Sequence, residues 1–208
     1  MRGHPAREQQ AKPLPAQRLH QIADARRHDG IAYGRVHRAG DARAVRELAD
    51  RQAITDLIYR YCRAVDRLDI PLGHSIWHED GRADYGEAVY QGDGRGVIDH
   101  ICGQHRHTLH HSHQVSNIII DLDGDRAGSE SYVTATLRVR REQQLKQITV
   151  WGRYIDRWSR RDCRWGLDKR ISIRDFDEVR DVTALYDHDT GRRDHTDPSY
   201  AVLKSGLS

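Results

Sequence analysis

An α+β fold, helices first and then one curved sheet of long antiparallel strands, is what this sequence predicts, and three observations predict it. Ile54, Leu57, Ile58, Tyr61 and Val65 recur at helical spacing and form a one-sided apolar stripe. From Gly81 onward the apolar period changes from helical to strand-like. Four strand-like runs then follow, and the junctions between them carry turn chemistry. Helices segregated from an antiparallel meander define the α+β pattern. Long strands with a helix across their concave face enclose a pocket.

Residues 1–46 hold Pro5, Pro13 and Pro15, much Arg, Gln and His, and few large apolar side chains. Such a segment buries too little surface to offset its ordering entropy, which predicts a mostly disordered basic extension. A basic arm for anionic partners is the alternative. Order is expected from near Val45, with the folded domain over residues 47–180 and an irregular polar tail over 181–208. Asp50 is placed to cap the first helix, which Asp69–Pro71 should end, because proline disfavours helix in the residue before it. A shorter helix is expected over Pro71–His78, a strand over Arg82–Tyr85, a turn around Gly92, Gly94 and Gly96, and a third helix over Gly96–His107. The long strands are expected at His113–Leu122, Ser129–Arg141, Gln147–Ser159 and Arg164–Asp175. Asp123-Gly124-Asp125 is the strongest hairpin signal among them.

Composition excludes several functions. The 208 residues suffice for one domain with an appendage. Lys and Arg number 34 against 31 Asp and Glu. Residues 1–50 carry 10 basic and 6 acidic side chains, so the remainder is close to neutral and lacks the charge of a nucleic-acid groove. No apolar run reaches the roughly 20 residues of a membrane span, and the N-terminus lacks the apolar core of a secretory signal. Cys62, Cys102 and Cys163 show no CxxC spacing. A reduced, cytoplasmic enzyme or binding protein is the expectation.

The residues that could carry chemistry are few. Asp66 lies at the end of the first helix on the flank of its stripe, where an aspartate is commonly solvated or capping. His100, His105, His107, His110, His111 and His113 cluster without the paired ligand motif of a metal site, so a polar loop leading into a strand is the plainer reading. Among them His113 opens an apolar strand, sharing a face with Val115 and Asn117. A half-buried neutral histidine there meets the conditions for a general base. Tyr61 and Tyr85 read equally as core aromatics. In the last strand Arg170 alternates with Asp168 and Ser172, opposite Trp165, Leu167, Ile171 and Ile173. That polar face faces either solvent or a pocket.

Together these segments resemble the SnoaL-like proteins of the nuclear transport factor 2-like superfamily. Leu48–Asp66 resembles the family's first helix, and His113–Arg126 its His-x-x-x-Asn strand and Asp-Gly-Asp turn. Gly152–Trp158 with Trp165 resembles its last hairpin, and Gly191–Tyr200 a common C-terminal signature. The resemblance spans about residues 45–203 and implies a cone-shaped, curved antiparallel sheet closed by the N-terminal helices around one pocket.

The superfamily includes lyases, isomerases and non-enzymes, and its dehydratases and dehydrochlorinases use an Asp–His pair. By motif the pair is Asp66 and His113. The dehydratases' Asp-Tyr dipeptide matches Tyr85, a tyrosine five residues before the aspartate matches Tyr61, and an arginine five after the strand tryptophan matches Arg170. Asn117, Trp77 and Trp151 complete the expected set as substrate-contacting residues. The resemblance implies a cofactor-independent, metal-free lyase, a dehydratase of a hydroxylated polycyclic, steroid-like or aromatic ring compound. The alternatives are a ketosteroid-isomerase-like isomerase, a non-catalytic binder, and a structural subunit like the dioxygenase β chain. The implied partners are a small apolar ring substrate and further copies in a homodimer or homotrimer, with neither nucleic acid nor membrane. The expected pocket is large and apolar.

Overall fold

A computed structural model describes residues 30–185, 188 and 191–203. Most of the expected N-terminal extension, and residues 186, 187, 189, 190 and 204–208 of the expected tail, lie outside the described residues. The chain divides into two compact units, Met1–Arg46 and Glu47–Ser208. The sheet and its core belong to the second.

Helix α1 spans Gly30–Arg67, so helix starts earlier than the onset of order expected near Val45. Asp50 is therefore inside a helix and caps nothing. Its carboxylate instead accepts from Arg160 Nη1 at 2.6 Å and from Trp165 Nε1 at 2.8 Å, fastening α1 to the last hairpin. The expected stripe is the buried face, with Ile54, Ile58, Tyr61 and Val65 almost wholly inaccessible. Each buried aliphatic contributes about 1.5–3 kcal/mol. The helix stops where Leu68 takes a left-handed φ of 54°, letting the Asp69 N–H close back on Ala64 O at 2.8 Å. Asp69 then caps α2 (Ile70–Ile76) by accepting from Leu72 N at 3.1 Å, and Pro71 fits in that first turn because it has no N–H to satisfy.

The remaining elements are β1 (Trp77–Asp84), β2 (Gln91–Asp93), α3 (Gly94–His105), β3 (His110–Asp123), β4 (Arg126–Arg141), β5 (Gln144–Arg161), β6 (Arg164–Asp181) and the short α4 (Ser199–Val202). The six strands form one curved, unclosed sheet in the order β2-β1-β6-β5-β4-β3. It is a mixed sheet, since β1 pairs parallel to β6 while every other pairing is antiparallel. The expected turn at Gly92 is strand β2. At Gly94 a Cβ would fall 2.0 Å from the Trp77 ring, so only glycine lets α3 start against that indole.

Two of the bulges in the sheet shift strand faces near the expected site residues. Ser116 pairs with Tyr132 and Ile119 with Glu130, so β3 carries one extra residue, and Asn117 sits there with φ 50°. Asparagine tolerates that left-handed conformation better than most residues. Asn117 is exposed and not on the His113 face, and the inward positions move to Ile118, Ile120 and Leu122. In β6 the extra residue is Asp168, because Arg157 pairs with Lys169 but Trp158 with Leu167. Leu167 and Arg170 consequently both point inward and both are fully buried, whereas strict alternation put them on opposite faces.

Candidate active site

Asp66 lies in the last turn of α1, where the helix dipole disfavours a carboxylate. β3 offsets that cost from a single residue. The His113 backbone N–H donates to both carboxylate oxygens, at 3.1 and 3.0 Å, and ring Nδ1 stands 2.7 Å from Oδ1. The side chains of His113 and Asp66 retain 9% and 15% of their accessibility, enough for contact with a small molecule. An ionised carboxylate only accepts hydrogen bonds, so Nδ1 carries the proton and Nε2 presents its lone pair. Chemically, an imidazole held this way can act as a base and the carboxylate can orient it.

Two further histidines adjoin it. The His105 ring centroid lies 5.5 Å from that of His113 and 4.5 Å from that of His111, and His111 lies 6.3 Å from His113. Burial pushes the His105 imidazolium down to about 3, helped by its His113 and His111 neighbours. Burial also lowers His111, against the opposing hydrogen bond to the Val65 carbonyl. Both stay neutral at pH 7. Among the described residues no group of three His, Cys, Asp or Glu side chains is arranged to hold a metal ion.

The cavity at the pair has a volume of about 270 Å³ and is lined by Tyr59, Cys62, Arg63, Asp66, Arg67, His113 and Val115. It is smaller and more cationic than the large apolar pocket expected. Arg63 Nη2 and Arg67 Nε are buried without a hydrogen-bond partner, and Arg67 Nε lies 3.5 Å from Asp197 Oδ1 in an ion pair. Residues from the expected tail help form the surroundings. Arg63 donates to Ser199 Oγ at 3.1 Å and lies over the Tyr200 ring, and Tyr200 donates to Asp69 Oδ2 at 2.7 Å. A larger groove of about 820 Å³ runs along the β3–β4 and β5–β6 turns, shares no lining residue with this cavity, and mixes Asp and Arg side chains.

Tyr61, Tyr85 and Arg170 come together, but away from the cavity. The two tyrosine hydroxyls are 2.5 Å apart. Arg170 is fully buried, makes two 2.7 Å hydrogen bonds to Asp156 directly across the β5–β6 pairing, and lies between the Tyr61 and Tyr154 rings at 4.1 and 3.9 Å. Burial raises the Tyr61 and Tyr154 hydroxyls well above their ordinary range, so both are neutral. Arg170, expected to meet a substrate anion, is instead committed to Asp156. None of the three lines the 270 Å³ cavity. The reason is helical geometry, since Tyr61 and Asp66 are about 140° apart around an unbent helix. Cys62 stands between the two groups, its thiol pushed up to about 12 chiefly by burial.

The aromatic assignments differ from expectation too. Trp77 is wholly buried in the core against Gly94. Trp151 is an odd number of residues from inward-facing Tyr154, so it points to the opposite face of the sheet, where it stacks on Phe176 at 4.8 Å. Sequence reasoning set His105 and His111 in a polar loop and gave Asp156 and Arg63 no role. The signal for His111 was available, because it lies two residues before His113 and strand alternation gives them one face.

Residues 46–171 match the family described as SnoaL-like domain. Among solved structures, hexachlorocyclohexane dehydrochlorinase LinA-type3 from Novosphingobium barchaimii LL02 is 18% identical, with TM-score 0.58, covering 70% of this chain and 99% of that one. A protein described as a scytalone dehydratase homologue from Novosphingobium aromaticivorans DSM 12444 is 22% identical, with TM-score 0.57, covering 69% and 97%. The Kfla4162 protein from Kribbella flavida is 18% identical, with TM-score 0.57, covering 64% and 95%. At these identities the likeness is one of fold. No curated protein matches the chain. No helix among the described residues is long and apolar enough to cross a membrane.

Proposed function

This chain belongs to the SnoaL-like domain family, and from that membership we propose that it is a cofactor-independent carbon–oxygen lyase, a dehydratase working through Asp66 and His113. The observation that carries the reading is the 2.7 Å contact between His113 Nδ1 and the Asp66 carboxylate. It leaves Nε2 free to take a proton from a carbon activated by a neighbouring carbonyl. Asp66 stabilises the imidazolium that results. The imidazolium returns the proton to the departing hydroxyl, so water leaves, a carbon–carbon double bond forms and the imidazole is regenerated.

The cavity favours the aromatic-ring arm of the expected substrates over the steroid arm. About 270 Å³ lies just below the usual 300–1,000 Å³ range of ligand sites. The cavity-lining Arg63 and Arg67 supply guanidinium donors for a carboxylate or carbonyl on that ring. Tyr61, Tyr85, Arg170 and Asp156 act behind the site, fixing the inward face of α1 and hence the backbone that carries Asp66.

The test is a panel of hydroxylated one- and two-ring carbonyl compounds, assayed for conjugated alkene by ultraviolet absorbance with the unsubstituted protein and with His113→Gln. Turnover that disappears in the variant supports the proposal. Ligand binding by both proteins without turnover by either overturns it in favour of a non-catalytic binder.

A further inference from the structure

We infer that His111 is a positioning residue for the Asp66–His113 pair, acting through the backbone of the helix that carries Asp66. The inference rests on the function proposed above and adds to it a residue that never touches substrate. His111 and His113 are inward-facing neighbours on β3, paired with Leu137 and Ala135 of β4. His113 takes the side chain of Asp66. His111 takes the residue before it, with ring Nε2 3.0 Å from Val65 O. The end of α1 is therefore held at two consecutive residues, once by its carbonyl and once by its carboxylate. The Asp69 N–H turns back to Ala64 O, so Val65 O loses its usual helical donor and accepts from Leu68 N at 3.2 Å; His111 adds a second donor where a drift of the helix end would carry Asp66 off the imidazole.

The far side of the ring fixes its state. A carbonyl only accepts, so Nε2 of His111 carries the hydrogen and Nδ1 must accept. Thr108 Oγ1 lies 3.0 Å from Nδ1 and 2.8 Å from the His105 carbonyl. Arg193, from the segment after β6, donates to that carbonyl at 2.9 Å and lies 3.5 Å from His111 Nδ1. Arg193 shares His105 O with the Thr108 hydroxyl, which donates to it, so both Thr108 Oγ1–H and Arg193 Nη1–H stand within reach as donors to Nδ1. A guanidinium beside Nδ1 also opposes a second proton on the ring. Neutral His111 with its proton on Nε2 is the form that can hold Val65.

Two variants separate the hydrogen bond from mere packing. His111→Phe keeps a ring against His105 but has no donor, and His111→Gln keeps a donor without the ring. The readout is the far-downfield proton resonance of His113 Nδ1–H, assigned by its absence in Asp66→Asn, together with the ring nitrogen shifts that report tautomer. The resonance should be lost to solvent exchange in His111→Phe and kept in His111→Gln, with near-UV circular dichroism unchanged in both. Retention of the resonance in His111→Phe overturns the inference, because packing alone would then suffice. Loss in both variants also overturns it. A resonance missing from the unsubstituted protein would refute the pairing of Asp66 with His113. A resonance present without turnover of any substrate would refute the lyase reading and leave the positioning role intact.

Discussion

The Asp66 carboxylate is bound at both oxygens by the backbone N–H of the residue whose ring it orients, His113, at 3.1 and 3.0 Å. That double attachment ties the imidazole to the acid through the strand as well as through the side chain. It predicts a rigid pair, and a decrease in activity on losing the acid that no rotation of the histidine can repair.

Arg170 and Asp156 are both fully buried and make a two-pronged ion pair at 2.7 Å. Removing the carboxylate in Asp156→Ala leaves an uncompensated buried cation and should cost about 3–5 kcal/mol. Urea denaturation measures it. A loss below about 1 kcal/mol would show that the cation finds water or another acceptor.

His105 predicts a pH dependence of stability. Burial first, then His113, His111 and Arg193, hold its imidazole neutral down to about 3, against an ordinary value of 6.5. Below pH 6.5 the unfolded chain binds a proton that the folded chain refuses, so stability present above that pH is lost as pH falls toward 3. The loss is about 1.4 kcal/mol per pH unit at most. Urea unfolding at pH 7 and pH 5 should show the slope, and His105→Gln should flatten it. An equal slope in the variant would mean that other groups carry it.

Gly94 is the third test, and it concerns the fold. A Cβ there meets the Trp77 ring at 2.0 Å, so Gly94→Ala forces the start of α3 off β1 and should destabilise by about 1–3 kcal/mol. Differential scanning calorimetry would read it as a lowered Tm. An unchanged Tm would mean that the indole moves aside without cost.

The elements were legible where periodicity alone decides them. The stripe from Ile54 to Val65 is the buried face of α1, and the Asp-Gly-Asp signal joins β3 to β4. What escaped was information that no local pattern carries. A bulge changes the phase of a strand without a compositional mark, so Arg170 was separated from Leu167 and Asn117 was grouped with His113. The parallel pairing of β1 with β6 joins the first strand to the last, and only tertiary packing selects it. The meeting of Asp66 and His113 was legible because a helix end and a strand start each set one residue's direction. The ion pair of Arg170 was not legible because its partner, Asp156, is fixed by register across two strands.

The most direct measurement is the turnover ratio of Asp66→Asn to the unsubstituted protein, on whichever panel compound the latter dehydrates, with circular dichroism confirming an intact fold. An amide cannot stabilise the imidazolium and can turn the wrong atom toward Nδ1, so the predicted fall is about 10²–10⁴-fold. Equal rates in the two proteins would contradict the account, since His113 would then be removing the proton without Asp66.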